Sequence, residues 1–238
     1  MKSTAWLTAT LIAVASSCTA ATPPAPHAIS ASYNVFWNGM KVAEMNETFE
    51  ARDGSYRIVS ESQAVGLLAL FVHQPLRFVS NGRLIASGLQ PQTFEGKRGD
   101  DDPRRARADF DWQGQQLTIT RDGRSDTLKL PPATQDLVSS MYQFMFLELG
   151  KQQRFELSMT NGRKLNHYFY TIHPGVEIET RLGRMTTLHL VKQHGPDESG
   201  IELWLAPQHR HLPVKMVVIE EDGSRYEQVI TKLEIKSP

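Results

Sequence analysis

The sequence predicts a mainly β protein, a curved antiparallel sheet or open β-barrel with one buried central helix at about residues 135–149. Three observations carry this. Apolar residues alternate with a period of two along most of the chain. Asn-Gly and Asp-Gly pairs fall between the alternating runs, where tight hairpins need φ > 0. One stretch alone, Thr134 to Leu149, breaks the period.

The strands follow in order. Tyr33, Val35 and Trp37 share one parity, and Asn38-Gly39 then turns the chain into a second strand from Met40 to Ala51. Asp53-Gly54 turns it again. Further turns are expected at Asn81-Gly82, Gln113-Gly114, Asp122-Gly123, Asn161-Gly162 and Asp222-Gly223. Late in the chain Ile201, Leu203 and Leu205 share one face, and so do Val229, Thr231, Leu233 and Ile235. Many short strands without alternating helices make an antiparallel sheet that curls or closes.

The segment TQDLVSSMYQFMFLEL follows Pro131-Pro132 and ends at Gly150. Thr134 or Gln135 can begin a helix, Asp136 suits its positive end, and Gly150 can close it. Apolar residues cover most of its circumference, so it is expected to be buried in the concavity of the sheet. Its Met141, Phe144 and Met145 are the candidate lining of a ligand site; the alternative is a plug of the core. Val65 to Val72 (VGLLALFV) reads either as a buried strand or strand edge, or as an exposed apolar lip. In the second case Leu67, Leu68, Leu70 and Phe71 are candidate membrane or partner contacts.

The N-terminus is the clearest signal. Lys2, an apolar stretch from Ala5 to Ala15 and the small residues that follow read as a secretory signal peptide over residues 1–21. Residues 22–28 form a Pro-rich linker, and residues 29–236 a single β domain. Cys18 is the chain's one cysteine, so no intrachain disulfide can form. It also stands where a lipoprotein is cut and acylated, although the usual Leu three residues before it is missing. Simple cleavage after Ala20 or Ala21 stays open beside lipidation at Cys18. The protein is expected to be exported, and periplasmic or, if acylated, attached to the outer membrane by that anchor.

Composition excludes some partners. Lys and Arg number 26 against 26 Asp and Glu, so nothing draws the chain to nucleic acid. The cluster Lys97 to Arg107 mixes five cations with Asp100, Asp101 and Asp102, and reads as a solvated, self-neutralising loop.

Several pieces in order resemble the family of exported bacterial proteins catalogued as domain of unknown function 3108. They are Tyr33-x-Val35 with Gly39, Ser80-Asn81-Gly82, Gly88-Leu89-Gln90-Pro91 and Phe110-Asp111-Trp112. Then come Gln135-Asp136 with Tyr142, Arg181-Leu182-Gly183, Leu203-Trp204-Leu205-Ala206-Pro207 and His211-Leu212-Pro213-Val214. The resemblance implies an exported, mainly β envelope protein. It brings no catalytic residue with it.

The chain holds no Gly-x-Ser-x-Gly elbow, Gly-rich phosphate loop or His-Glu-x-x-His. The late histidines, His209 and His211 among them, lack metal-site spacing. Glu177/Glu179 and Glu220/Glu221 read as solvent faces of a sheet. No catalytic residue, metal or cofactor is therefore expected. Trp204 has the opposite parity from Leu203 and Leu205, which marks it as a candidate exposed ligand contact. The leading functional expectation is a non-enzymatic binder or carrier of an apolar or amphipathic, lipid-like envelope molecule. The alternative is a scaffold or assembly partner of another envelope protein, and a third is an enzyme acting on glycan or lipid.

Overall fold

A computed structural model describes residues 25–99, 102–195 and 198–237. The expected signal peptide, Cys18 and the first three residues of the Pro-rich linker lie outside these residues. One sheet of 15 strands organises the described residues. The first half is a meander of β1 (Ala28–Trp37), β2 (Met40–Arg52), β3 (Ser55–Ala64), β4 (Leu76–Ile85), β5 (Gly88–Arg98), β6 (Ala106–Asp111), β7 (Gln116–Arg121) and β8 (Arg124–Lys129). The second half runs through β9 (Gln135–Asp136), β10 (Arg154–Thr160), β11 (Leu165–Thr180), β12 (Gly183–Lys192), β13 (Gly200–Ala206), β14 (Leu212–Ile219) and β15 (Arg225–Lys236). β15 pairs with β1 and joins the halves, while β8 and β9 remain as the two edges. All ladders are antiparallel except β9 with β10. The result is a curved, open, up-and-down sheet.

The turns follow the local chemistry. Asn38 and Gly39 both have φ > 0, at 47° and 83°, the backbone that a two-residue hairpin with matching twist requires. Asp53-Gly54 and Asp122-Gly123 repeat it. Asn81-Gly82 is the exception. It lies inside β4, beside a register shift against β5, and is not a turn. A Cβ at Gly82 would sit 2.2 Å from the Gln90 carbonyl oxygen and 2.7 Å from the Tyr56 ring. The glycine there serves close approach of backbone, not reversal of the chain.

The expected helix over 135–149 is much shorter. Gln135 and Asp136 join the sheet as β9, opposite Met159 and Thr160. Only α1 (Ser139–Gln143) is α-helical, continuing as a 3₁₀ turn, Phe144–Phe146, before Leu147 returns to extended backbone. Asp136 sets the helix start. Its Oδ1 accepts the N–H groups of Val138 and Ser139, while its own N–H donates to Ser139 Oγ, a reciprocal cap. The expected burial holds for this shortened element. Val138, Tyr142 and Met145 face a core built on Phe49, Ile58 and Phe94, whereas Phe144 and Leu149 face a second core with Leu190, Leu203 and Leu205. The segment is apolar on nearly every side because it is enclosed on nearly every side.

Val65 to Val72 forms no strand. The ladder ends where the Val65 N–H donates to the Val42 carbonyl. Gly66 then takes φ +61°, and Gly66–Leu70 winds as a 3₁₀ turn with no buried residue.

Candidate functional site

Strand register places the chain's features at two ends. β1 runs from Ala28, opposite Glu50 and Lys236, to Trp37, opposite Met40 and Tyr226. At 3.3 Å per residue the two ends are about 30 Å apart. Following the ladders round, the Trp37 end also receives the 3₁₀ turn 66–70, Leu76, Arg98, Asp122 and the β10–β11 turn. We call this end the mouth. Both ends of the described chain lie at the other.

Large apolar side chains are left uncovered at the mouth. Leu67 and Phe71 are each 81% exposed and Leu70 is 66% exposed. Trp37, Met40 and Tyr226, on the adjoining strand ends, are exposed as well. Scattered apolar residues are ordinary on a surface, but several on one short loop are not.

Two open clefts lie at this end of the sheet and share Leu137 and Asn161, which line both. The first has a volume of about 490 Å³ and draws its walls from both halves of the sheet. Parity gives it a polarity. Leu76 pairs with Arg98, Phe78 with Gly96 and Ser80 with Phe94, one face of the sheet from lip to depth. Phe78 lies on the bare backbone of Gly96, where a Cβ would stand 2.8 Å from its ring, and stacks on Phe94 with centroids 5.9 Å apart. Arg98, Arg104 and Arg163 stand at the lip. The second cleft, about 610 Å³, is mixed in charge, with Lys164 and Lys192 against Glu198 and Glu220.

The β10–β11 turn holds the mouth together. Gly162 fits so closely that a Cβ would lie 3.1 Å from both Phe94 and Ala106. Arg121 donates to the Arg163 carbonyl, and the Arg163 guanidinium reaches Asp122 and the Arg104 carbonyl. The open edge between the halves is thus bridged by side chains rather than by a ladder.

Beneath the first cleft lies a buried polar network. Ser80 Oγ donates to Asp136 Oδ2 at 2.5 Å and meets Tyr56 Oη at 3.1 Å. Tyr142 donates to Glu47 at 3.2 Å. Burial pushes the Glu47 carboxyl up to about 7, against its hydrogen bonds from Ser60 and Tyr142. Burial likewise raises Asp136 to about 6, opposed by its bonds from Ser139, Ser80 and Val138. Neither carboxyl lines a described cleft, and both tie the α1 segment to the sheet.

The ligand candidates from sequence take different places. Phe144 and Met145 are 1% and 9% exposed and belong to the two cores, and Met141 packs against both. None of the three lines a cleft described here. Trp204 does face away from Leu203 and Leu205, but it is covered, not exposed. His189 stacks on it at 4.2 Å, Lys215 Nζ stands 5.1 Å from its ring centre, and Met185 and Val217 share its cluster. The loop residues Leu67, Leu68, Leu70 and Phe71 are all exposed. The mouth clefts escaped the sequence reading. Arg98 and Arg104 of the first cleft fall in what reads as a self-neutralising loop, and the walls of both clefts come from strands far apart in the chain.

Among the described residues no helix is long and apolar enough to cross a membrane. Nor do they hold a group of three or more His, Cys, Asp or Glu able to bind a metal ion.

These features define a β-barrel-like protein whose open sheet wraps a short helical plug and ends in a cleft-bearing, apolar mouth. The chain belongs to the family DUF3108, described as a protein of unknown function, which matches residues 32–231. The segments that carried the resemblance bond to one another. Tyr33 donates to the Pro213 carbonyl, Trp112 to that of Pro91, and Gln135 to that of Leu89. Among solved structures, the chain is similar to a β-barrel-like protein of domain of unknown function DUF1849 from Brucella abortus. That likeness has 10% identity and a TM-score of 0.57, and covers 89% of this chain and 98% of the other; it shows the fold alone. A protein of Parabacteroides distasonis, provisionally named a lipoprotein, aligns at 9% identity and a TM-score of 0.35 over 92% of this chain and the whole of the other. No curated protein matches the chain.

Proposed function

We propose that this is an exported envelope protein that works by binding, and that an apolar or amphipathic envelope molecule engages its mouth. The observation that carries the reading is the uncovered loop with Leu67, Leu70 and Phe71 beside an apolar-floored cleft. Covering three such side chains is worth about 1.5–3 kcal/mol each, enough to drive association. Both ends of the described residues, Ala28 and Lys236 among them, lie at the far end. A tether through the signal-peptide region, by lipid on Cys18 or otherwise, therefore leaves the mouth accessible.

The test is native mass spectrometry with lipid extraction on protein purified gently from its own envelope. A stoichiometric amphiphile is expected, and it is expected to be lost from a Leu67→Ser/Leu70→Ser/Phe71→Ser variant. A second reading rests on the same loop. Trp37, Met40 and Tyr226 extend its apolar surface over neighbouring strand ends, which suits docking to another envelope protein. A clean apo mass, under conditions that keep a known carrier loaded, would overturn the amphiphile reading and favour this scaffold. Cys18→Ala with membrane fractionation tests the anchor: wild type and variant both soluble would end the lipoprotein reading.

A further inference from the structure

We infer that the first mouth cleft is a binding site for a single-chain anionic amphiphile, with its phosphate or carboxylate at Arg98 and Arg104 and its chain lying over Leu76, Phe78 and Leu137. The inference rests on the binding reading above and gives it a place and a ligand class.

The cleft carries the two halves of an amphiphile in the right order. Arg98 faces the concave side at the strand end, directly opposite Leu76, and the next inward pair is Phe78 over Gly96. A ligand entering from solvent meets guanidinium groups first and an aromatic floor next. Guanidinium is suited to the lip, since its planar fork matches carboxylate and phosphate oxygens two at a time. The volume, about 490 Å³, lies within the usual 300–1,000 Å³ of small-molecule sites.

The two carboxylates among the described lining residues leave room for an anion. Asp102 spends its oxygens on the backbone N–H groups of Arg98 and Arg104, at 2.6 and 2.9 Å. Those bonds hold its carboxyl below the usual range. Its charge offsets part of the arginine field and also fixes the loop that presents both arginines. Asp122 is occupied by Arg163. Among the described lining residues, Arg98, Arg104 and Arg163 outnumber these two carboxylates. The Arg98 guanidinium also donates to the Gln74 carbonyl, three residues beyond Phe71, so the lip of the cleft and the apolar loop are joined.

The experiment is calorimetric titration of the mature protein with dodecyl phosphate below its micelle concentration, beside inorganic phosphate and the neutral dodecyl maltoside. One dodecyl phosphate per chain is expected. Arg98→Gln/Arg104→Gln should weaken it at least tenfold without changing the response to dodecyl maltoside. Arg104 is exposed, so Arg104→Glu alone tests charge with the packing untouched, and it should weaken binding in the same direction. Leu76→Ser should weaken the phosphate amphiphile and leave near-ultraviolet circular dichroism unchanged. Inorganic phosphate binding as tightly as dodecyl phosphate would overturn the site, because no chain would then be read. So would arginine variants that bind like wild type. If those variants bind normally while the loop triple variant does not, the cleft assignment falls and the mouth reading stands. If no amphiphile binds at all, both fall.

Discussion

Ser80 donates a hydrogen bond of 2.5 Å to Asp136, and this contact joins β4 of the first half to β9 of the second, between strands that share no ladder. Asp136 accepts at the same time from the N–H groups of Val138 and Ser139. Asp136→Ala would orphan three buried donors. A loss of about 2–4 kcal/mol in unfolding free energy is expected, read by urea denaturation. Ser80→Ala removes one of the three bonds and should cost about 1–2 kcal/mol. Equal and negligible losses for both would show that the helix start is held by packing alone.

Glu47 makes stability depend on pH. Its carboxyl titrates at about 7 in the fold, against 4.5 for the unperturbed group. Between those values the folded state binds the proton and the unfolded state releases it. Stability therefore falls as pH rises through about 4.5 to 7, the reverse of a salt-bridged acid. Ionising the buried group costs on the order of 3 kcal/mol at most, at 1.36 kcal/mol per pH unit. Asp136, at about 6, adds in the same direction. Melting curves at pH 5.5 and 8 should show the higher Tm at pH 5.5, and Glu47→Gln should shrink the difference. A Glu47→Gln protein with an unaltered pH profile would contradict this.

Phe144 and Phe71 separate structural from surface work. Phe144 is 1% exposed between the helical segment and β10–β13, with Phe155 tilted against it at 5.7 Å. Phe144→Ala should cost about 3–5 kcal/mol. Phe71, at 81% exposed, has little packing to lose, and Phe71→Ala should change stability by no more than about 0.5 kcal/mol. Chemical denaturation of both variants checks the contrast. A large loss at Phe71 would mean the loop is packed in solution and is not a free surface.

The fold was legible where a residue's role is local. Asn38-Gly39, Asp53-Gly54 and Asp122-Gly123 all turn the chain because their positive φ is written into residue type. Asn81-Gly82 looks the same in sequence, yet its glycine answers Gln90 and Tyr56, residues a sequence window does not hold. The helix was overextended for a related reason. Gln135 and Asp136 carry acceptable N-terminal helix chemistry, and only the presence of β10 beside them makes a strand the better use of their backbone. The apolar loop was visible as composition, but its exposure depends on what the rest of the sheet leaves uncovered. The cleft was hidden altogether, since Arg98 and Arg163 lie 65 positions apart and meet only because the two halves close at the mouth.

Gly162 is where that closure can be tested. It takes φ +77°, which disfavours any side chain, and a Cβ would press on Phe94 and Ala106 at 3.1 Å. Its neighbour Arg163 is the turn's link to Asp122 and Arg104. Gly162→Ala should therefore destabilise by about 1–3 kcal/mol, combining left-handed strain with the tight contact. Hydrogen exchange adds the spatial readout. Amides of β6 and β7 should exchange faster in the variant, because they face the turn, while those of β1 and β15 on the far side of the sheet should not. Uniform acceleration across all strands would instead mean that the turn contributes to global stability without holding the mouth in particular. Local acceleration would identify the β10–β11 turn as the clasp that keeps an unpaired sheet edge shut.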